Sequence, residues 1–221
     1  MPLMNPSLLL LFEEANHPLV EGVRAQLHGF CVEPALHARF LNMLSLLEHI
    51  GSRKIMTSPA MGEPSLDGLK HLAEEARHAY FFKRTAEGVA HHPLDYSAEN
   101  TIAGPAARFY MGRLDVEISR SLGKTAPALP YLYMSLIVEL RAVWMYRIYQ
   151  IVLMEQKIGL TLKSVLAEEE LHLGAMLARL REIDRAADSR IALFSGFEEM
   201  RFRSLWSAVE EECAVHRLAA E

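Results

Sequence analysis

Leu166–Ala167–Glu168–Glu169–Glu170–Leu171–His172–Leu173–Gly174–Ala175–Met176 is the stretch that decides how the chain is read. Its apolar residues recur with helical spacing, and Glu169 and His172 stand three apart within it. On a helix that separation puts both side chains on one face about a turn apart, within reach of a single metal ion. An equivalent pair, Glu75 and His78, occurs in His71–Leu72–Ala73–Glu74–Glu75–Ala76–Arg77–His78. Each pair follows a lone glutamate in a strongly apolar helical stretch: Glu48 precedes Glu75 by 75 − 48 = 27 residues, and Glu139 precedes Glu169 by 169 − 139 = 30.

The 23 glutamates and 10 histidines among 221 residues yield about one Glu-x-x-His by chance. A third such pair exists, Glu14 and His17, directly before Pro18. It has no apolar helix upstream to supply a partner glutamate, so it reads as the accidental one. Chance explains poorly the offset between the other two pairs, 169 − 75 = 94 and 172 − 78 = 94, and the similar one between the lone glutamates, 139 − 48 = 91. The chain carries two half-sites written in the same order.

That order, Glu, Glu-x-x-His, Glu, Glu-x-x-His on four helices, resembles the ferritin-like di-iron or di-manganese carboxylate proteins. The resemblance covers roughly residues 34 to 185 and implies an all-α fold. This would be a ferritin-like four-helix bundle with one long crossover between its second and third helices, plus additional N-terminal, crossover and C-terminal helices. It also implies the ligand roles. Glu75 and Glu169 would bridge two ions, Glu48 and Glu139 would cap one each, and His78 and His172 would complete the two coordination spheres. Four carboxylates and two imidazoles suit iron or manganese, as Fe/Fe, Fe/Mn or Mn/Mn, better than a thiolate-seeking metal.

Length and composition are compatible with that picture. The 221 residues, 51% of them hydrophobic, are enough for one substantial core, so a single domain over 1–221 is expected. A net charge of −5 and the lack of any Lys/Arg run give no footprint for direct nucleic-acid binding. Leu8 to Phe12 is too short to span a bilayer, has no basic residues before it and runs into Glu13 and Glu14; a short amphipathic helix covering one end of the core is expected, with no membrane association. Cys31 and Cys213 form no Cys-x-x-Cys pair, which points to a reducing, cytoplasmic compartment and away from rubredoxin-type or zinc-ribbon modules.

Along the chain, residues 5–30 read as helix interrupted near Asn16, His17 and Pro18. Pro34 opens a helix to about Met56 with Leu41, Leu44 and Ile55 beside Glu48, and Ser58 to Pro64 forms a loop. Ser65, with Gly68 behind it, opens a helix to about Gly88 whose one stripe holds His71, Glu75, His78, Ala79 and Phe82. His71, a turn before Glu75, is either an outer-shell group, a further ligand or an ordinary surface or core histidine. His91 to Pro130 is the long connector, with a helix over Ala106 to Leu122 ended by Gly123. Leu132 to Met154 is apolar all round apart from Glu139, Arg141 and Arg147, and reads as a central helix. On its Glu139 face, Tyr146 is either a hydrogen-bonding or redox-active phenol near the site or an aromatic core residue. A helix from about Thr161 to Ile183 carries Val165, Glu169, His172, Leu173 and Met176 inward, with Glu168 and Glu170 expected to be exposed. A last helix from Asp188 or Ser189 has Leu193, Phe197, Met200, Phe202, Leu205 and Trp206 as apolar positions.

Three functions are compatible with this reading. One is a non-heme di-iron oxidoreductase, an oxidase or oxygenase that activates dioxygen to oxidise or hydroxylate a small organic substrate. Ala79, Phe82, Ala142, Val143, Leu173 and Met176 are its candidate pocket residues. The second is a ferritin- or rubrerythrin-like ferroxidase or peroxide-reducing protein, and the third a non-catalytic helical scaffold. No flavin, nicotinamide or ferredoxin motif is visible, so turnover implies a separate electron donor. A monomer or homodimer is expected of an oxygenase. The membrane-associating segment of the quinone-modifying branch and the long insertions of the multicomponent monooxygenases are not seen.

Overall fold

Sequence periodicity is translated into helices throughout. The computed structural model describes residues 6–57, 65–124 and 128–220, and among them every regular element is helical. In chain order these are α1 (Pro6–Asn16), a 3₁₀ turn (His17–Leu19), α2 (Val20–Val32), α3 (Pro34–Thr57), α4 (Leu66–Ala90), α5 (Gly104–Leu122), α6 (Ala128–Glu155), α7 (Lys163–Ile183) and α8 (Ala187–Ala220). None is long and apolar enough to cross a membrane. The expected loop over Ser58 to Pro64 lies outside the described residues.

The breaks follow local chemistry. Asn16 ends α1 with its side-chain amide donating to Phe12 O (2.9 Å), and Pro18 turns the chain at the 3₁₀ step. Ser65 caps α4 by accepting from Gly68 N (3.1 Å). Gly123, at φ 59°, takes the left-handed conformation that ends α5, with its N–H on Ser119 O. α6 starts four residues earlier than expected, at Ala128. Pro130 lies in its first turn, where the lost N–H had no helical partner to forfeit.

The chain divides into two compact units, Met1–His28 with Asp115–Glu199 and Gly29–Leu114 with Met200–Glu221. In the first, α6 and α7 pack against each other. Gln150 Oε1 accepts from Leu162 N (2.6 Å) and Thr161 Oγ1 (3.2 Å) at one end of the pair, so a side chain of α6 satisfies the start of α7. At the other end the Tyr133 hydroxyl donates to Asp184 Oδ2 (2.5 Å), and Arg190 binds the same oxygen (2.5 Å). The two pins lie at opposite ends of each helix, so α6 and α7 run antiparallel. Burial would raise Asp184, but the bonds from Tyr133, the Ala186 N–H and Arg190 hold its carboxyl below the usual range. Burial and then the Asp184 carboxylate push the Tyr133 hydroxyl well up.

α6 is buried on more than one side. Met134, Ile137, Val143 and Trp144 are buried along with Glu139 and Arg141, whose positions are two residues and therefore about 200° apart on the helix. Arg141 donates to both oxygens of Glu198 on α8 (2.8 and 2.6 Å) and to Asn16 Oδ1 (2.7 Å), and lies over the rings of Phe12 and Trp144. The α8 segment in this unit buries Ile191 and Phe194 rather than Leu193, which is exposed. Leu193 was read from hydrophobicity alone, whereas the 3- and 4-residue steps that lead to Glu198 pass through Ile191 and Phe194.

In the second unit α3 and α4 pack along each other. The side chain of Asn42 donates to Asp95 O (2.7 Å), Asn100 O (2.9 Å) and Thr101 Oγ1 (3.0 Å) and accepts from Lys83 Nζ (2.9 Å). Lys83 also bonds Leu94 O and covers the Tyr96 ring. Burial lowers the Lys83 pKa, against the raising pull of Glu87 and Asp95. The α8 segment of this unit buries Phe202, Leu205, Trp206, Val209 and Cys213, while Met200 is exposed, against the expectation. Its Glu212 pairs with Arg39 of α3 and accepts from Ala103 N (2.7 Å).

Candidate metal centre

Each unit contains one of the half-sites, and each is built the same way. In the second unit Ser45, one turn before Glu48 on α3, donates to Ala79 O (2.7 Å), the residue after His78 on α4. That donation uses the Ser45 proton, so Tyr96 O–H is the donor in its 2.8 Å contact with Ser45 Oγ. Asn42 to Lys83, Ser45 to Ala79 and Glu48 beside Glu75 describe one antiparallel register, with the ligand candidates one turn beyond a hydrogen-bonded crosslink.

The register brings Glu48, Glu75 and His78 together. One ligand atom from each lies within 4.8 Å of the other two, and the residues are only 7%, 6% and 1% exposed. Gly51, one turn after Glu48, gives the carboxylate room: a Cβ there would stand 3.2 Å from Glu75 Oε2. The other oxygen, Oε1, is 3.5 Å from His71 Nε2. His71 therefore accompanies the half-site, with a side chain only 15% exposed.

In the first unit Glu139 of α6 meets Glu169 and His172 of α7. His172 Nδ1 lies 3.1 Å from Glu169 Oε2 and 3.6 Å from Glu139 Oε1. Glu139 is 6% exposed, Glu169 1%, and the His172 side chain 10%. Four carboxylates buried to this degree each need a proton, hydrogen bonds or a cation, since a bare buried charge costs several kcal/mol. Clustered carboxylate oxygens and imidazole nitrogens form a donor set able to bind a divalent metal ion.

The residues that the sequence reading set beside the candidate ligands are largely withdrawn from solvent. Ala79, Phe82, Val143, Leu173, Met176 and Tyr146 are buried and Ala142 is half-buried. Glu14 and His17, the accidental pair, are exposed on α1 and the 3₁₀ turn, and His91 and His92 are exposed in the connector. Glu168 and Glu170 depart from expectation in being half-buried rather than exposed. Glu170 is held by Arg147 (2.7 Å), which also binds Glu13 of α1 (2.7 Å). The supports missed by the sequence reading are Asn42, Ser45, Lys83 and the Arg141–Glu198–Asn16 cluster. Arg141 alone carried a signal, as a cation within an otherwise apolar helix.

No family model, no curated protein and no solved structure matches this chain.

Proposed function

We propose that Glu48, Glu75, His78, Glu139, Glu169 and His172 together hold two metal ions, iron in the first instance, in a ferritin-like four-helix core. We further propose that the protein is a non-heme di-iron oxidoreductase oxidising or hydroxylating a small organic substrate. The observation that carries this reading is the same construction in both units: a buried glutamate on one helix beside a buried Glu-x-x-His on its antiparallel neighbour. Four carboxylates balance the charge of two divalent ions, which supports a neutral centre in a buried setting. Bound ferrous ions would supply the electrons for reducing dioxygen. The chain's own part is positional. Ser45 and Gln150 fix the registers of the two helix pairs, Gly51 leaves space for the Glu75 carboxylate, and the apolar residues beside the ligands keep water away.

The test is stopped-flow oxygen consumption after anaerobic loading with two ferrous ions per chain, with a Glu75→Ala variant alongside and gel filtration of the loaded protein. Rapid uptake that is absent from the variant, by a monomer or dimer, is the expected result. Uptake by a very large cage would favour iron storage instead, and uptake no faster than that of free ferrous ion would leave only a scaffold.

A further inference from the structure

The two half-sites are not equal, and the difference lies one turn before each Glu-x-x-His. Applying the 94-residue offset that relates Glu75 to Glu169 and His78 to His172, position 71 corresponds to 71 + 94 = 165. In the first unit that position is Val165, 3% exposed and purely apolar. In the second unit it is His71, whose Nε2 lies 3.5 Å from Glu75 Oε1. His71, Glu75 and His78 stand at i−4, i and i+3, so all three lie on one stripe of α4. Donor atoms that share one ion, each about 2 Å from it, are typically about 3 Å apart. His71 and Glu75 are close to that separation already.

Resting on the metal reading above, we propose that His71 is a third imidazole ligand, so that the pair of ions is bound by three histidines and the two metal positions differ. The added ligand is neutral, so it leaves the charge balance of four carboxylates and two divalent ions unchanged. It does change the donor character. A position richer in nitrogen favours later divalent metals, placing iron and cobalt ahead of manganese more strongly than an oxygen-rich position does. Val165 offers no donor, so this bias belongs to one side of the centre only. His71 thereby sets which of the two positions binds more tightly and which metal that position prefers.

Cobalt(II) serves as the probe, because the N–H protons of imidazoles bound to it move far outside the ordinary proton spectrum. Wild-type protein loaded with two equivalents of cobalt(II) should show three such exchangeable signals, and His71→Val, which copies the other half, should show two. In a competition titration against a chelator, His71→Val should weaken one of the two binding steps by at least tenfold and leave the other in place. The loss should be no smaller than the 10- to 100-fold attributed to outer-shell partners of a metal site. His71→Gln, which keeps a polar side chain of similar length, should behave like His71→Val and guards against a folding artefact. Two signals in the wild type, or two binding steps unaltered in both variants while Glu75→Ala removes them, would overturn the assignment of His71 and leave the six-ligand reading standing. No cobalt binding by the wild type would overturn both.

Discussion

Replacing Glu198 by alanine should be among the most destabilising single changes in the chain, although Glu198 belongs to no half-site. Its carboxylate is fully buried and accepts from Nε and Nη2 of Arg141 at 2.8 and 2.6 Å. The Arg141 side chain is itself only 6% exposed. Asn16 Oδ1 accepts a third bond at 2.7 Å, and the Phe12 and Trp144 rings lie 4.8 and 4.7 Å from the guanidinium. Truncating Glu198 strands a buried cation, for which the usual loss is about 3–5 kcal/mol. For a chain of this size 1 kcal/mol moves the thermal midpoint by roughly 2–4 °C, so the midpoint should fall by roughly 6–20 °C. The cation–π contacts and the Asn16 bond remain in the variant and favour the lower part of that range. Thermal unfolding followed by circular dichroism measures it. An Arg141→Met, Glu198→Leu double variant should recover most of the loss, because it removes the stranded charge along with its partner. Because Glu139 projects about 200° away from Arg141 on α6, metal stoichiometry at low temperature should be unchanged in Glu198→Ala. A fall of less than about 2 °C would refute the reasoning.

Two further outcomes follow from the second unit. Asn42→Ala leaves the Lys83 ammonium without its side-chain acceptor and takes the amide donor away from three oxygens. The midpoint of chemical denaturation should drop by an amount equivalent to about 2–3 kcal/mol, and an unchanged midpoint would show that water replaces the amide. His37, 5% exposed, is pushed by burial down to about 4. Between pH 6.5 and 4 the unfolded chain therefore binds a proton that the folded chain does not, so the folded state loses stability as the pH is lowered through that window. Relative to a His37→Gln variant, the wild type should lose on the order of 3 kcal/mol between pH 7 and 4, measured by urea unfolding. Parallel stability curves would contradict the assignment.

What the sequence discloses is the part governed by local periodicity. Glu75, His78, Glu169 and His172 are legible because three residues on a helix fix a face, and Glu48 and Glu139 because a carboxylate in an apolar helix demands a partner. Asn16, Ser65 and Gly123 mark helix boundaries through the chemistry of caps and turns, and the boundaries occur there. The pairings that hold the helices in place are not legible, because they join residues far apart in sequence. Arg141 and Glu198 are 57 residues apart, and Asn42 and Asn100 are 58. Nothing in the spacing of Glu170 shows that Arg147 will pair with it. For α8, counting apolar residues picked out Leu193 and Met200. Burial instead follows Ile191, Phe194 and Glu198, the stripe set by Arg141, while Phe202, Leu205 and Trp206, picked out by the same count, are buried.

The most direct test of the central claim is elemental analysis of the full chain expressed with both iron and manganese available, beside a Glu75→Ala, Glu169→Ala double variant. The account predicts two metal ions per chain in the wild type, with iron in at least one position, and their loss in the double variant. Wild-type protein that is folded yet carries no stoichiometric metal would contradict it, and the repeated glutamate and histidine spacing would then belong to a helical scaffold alone.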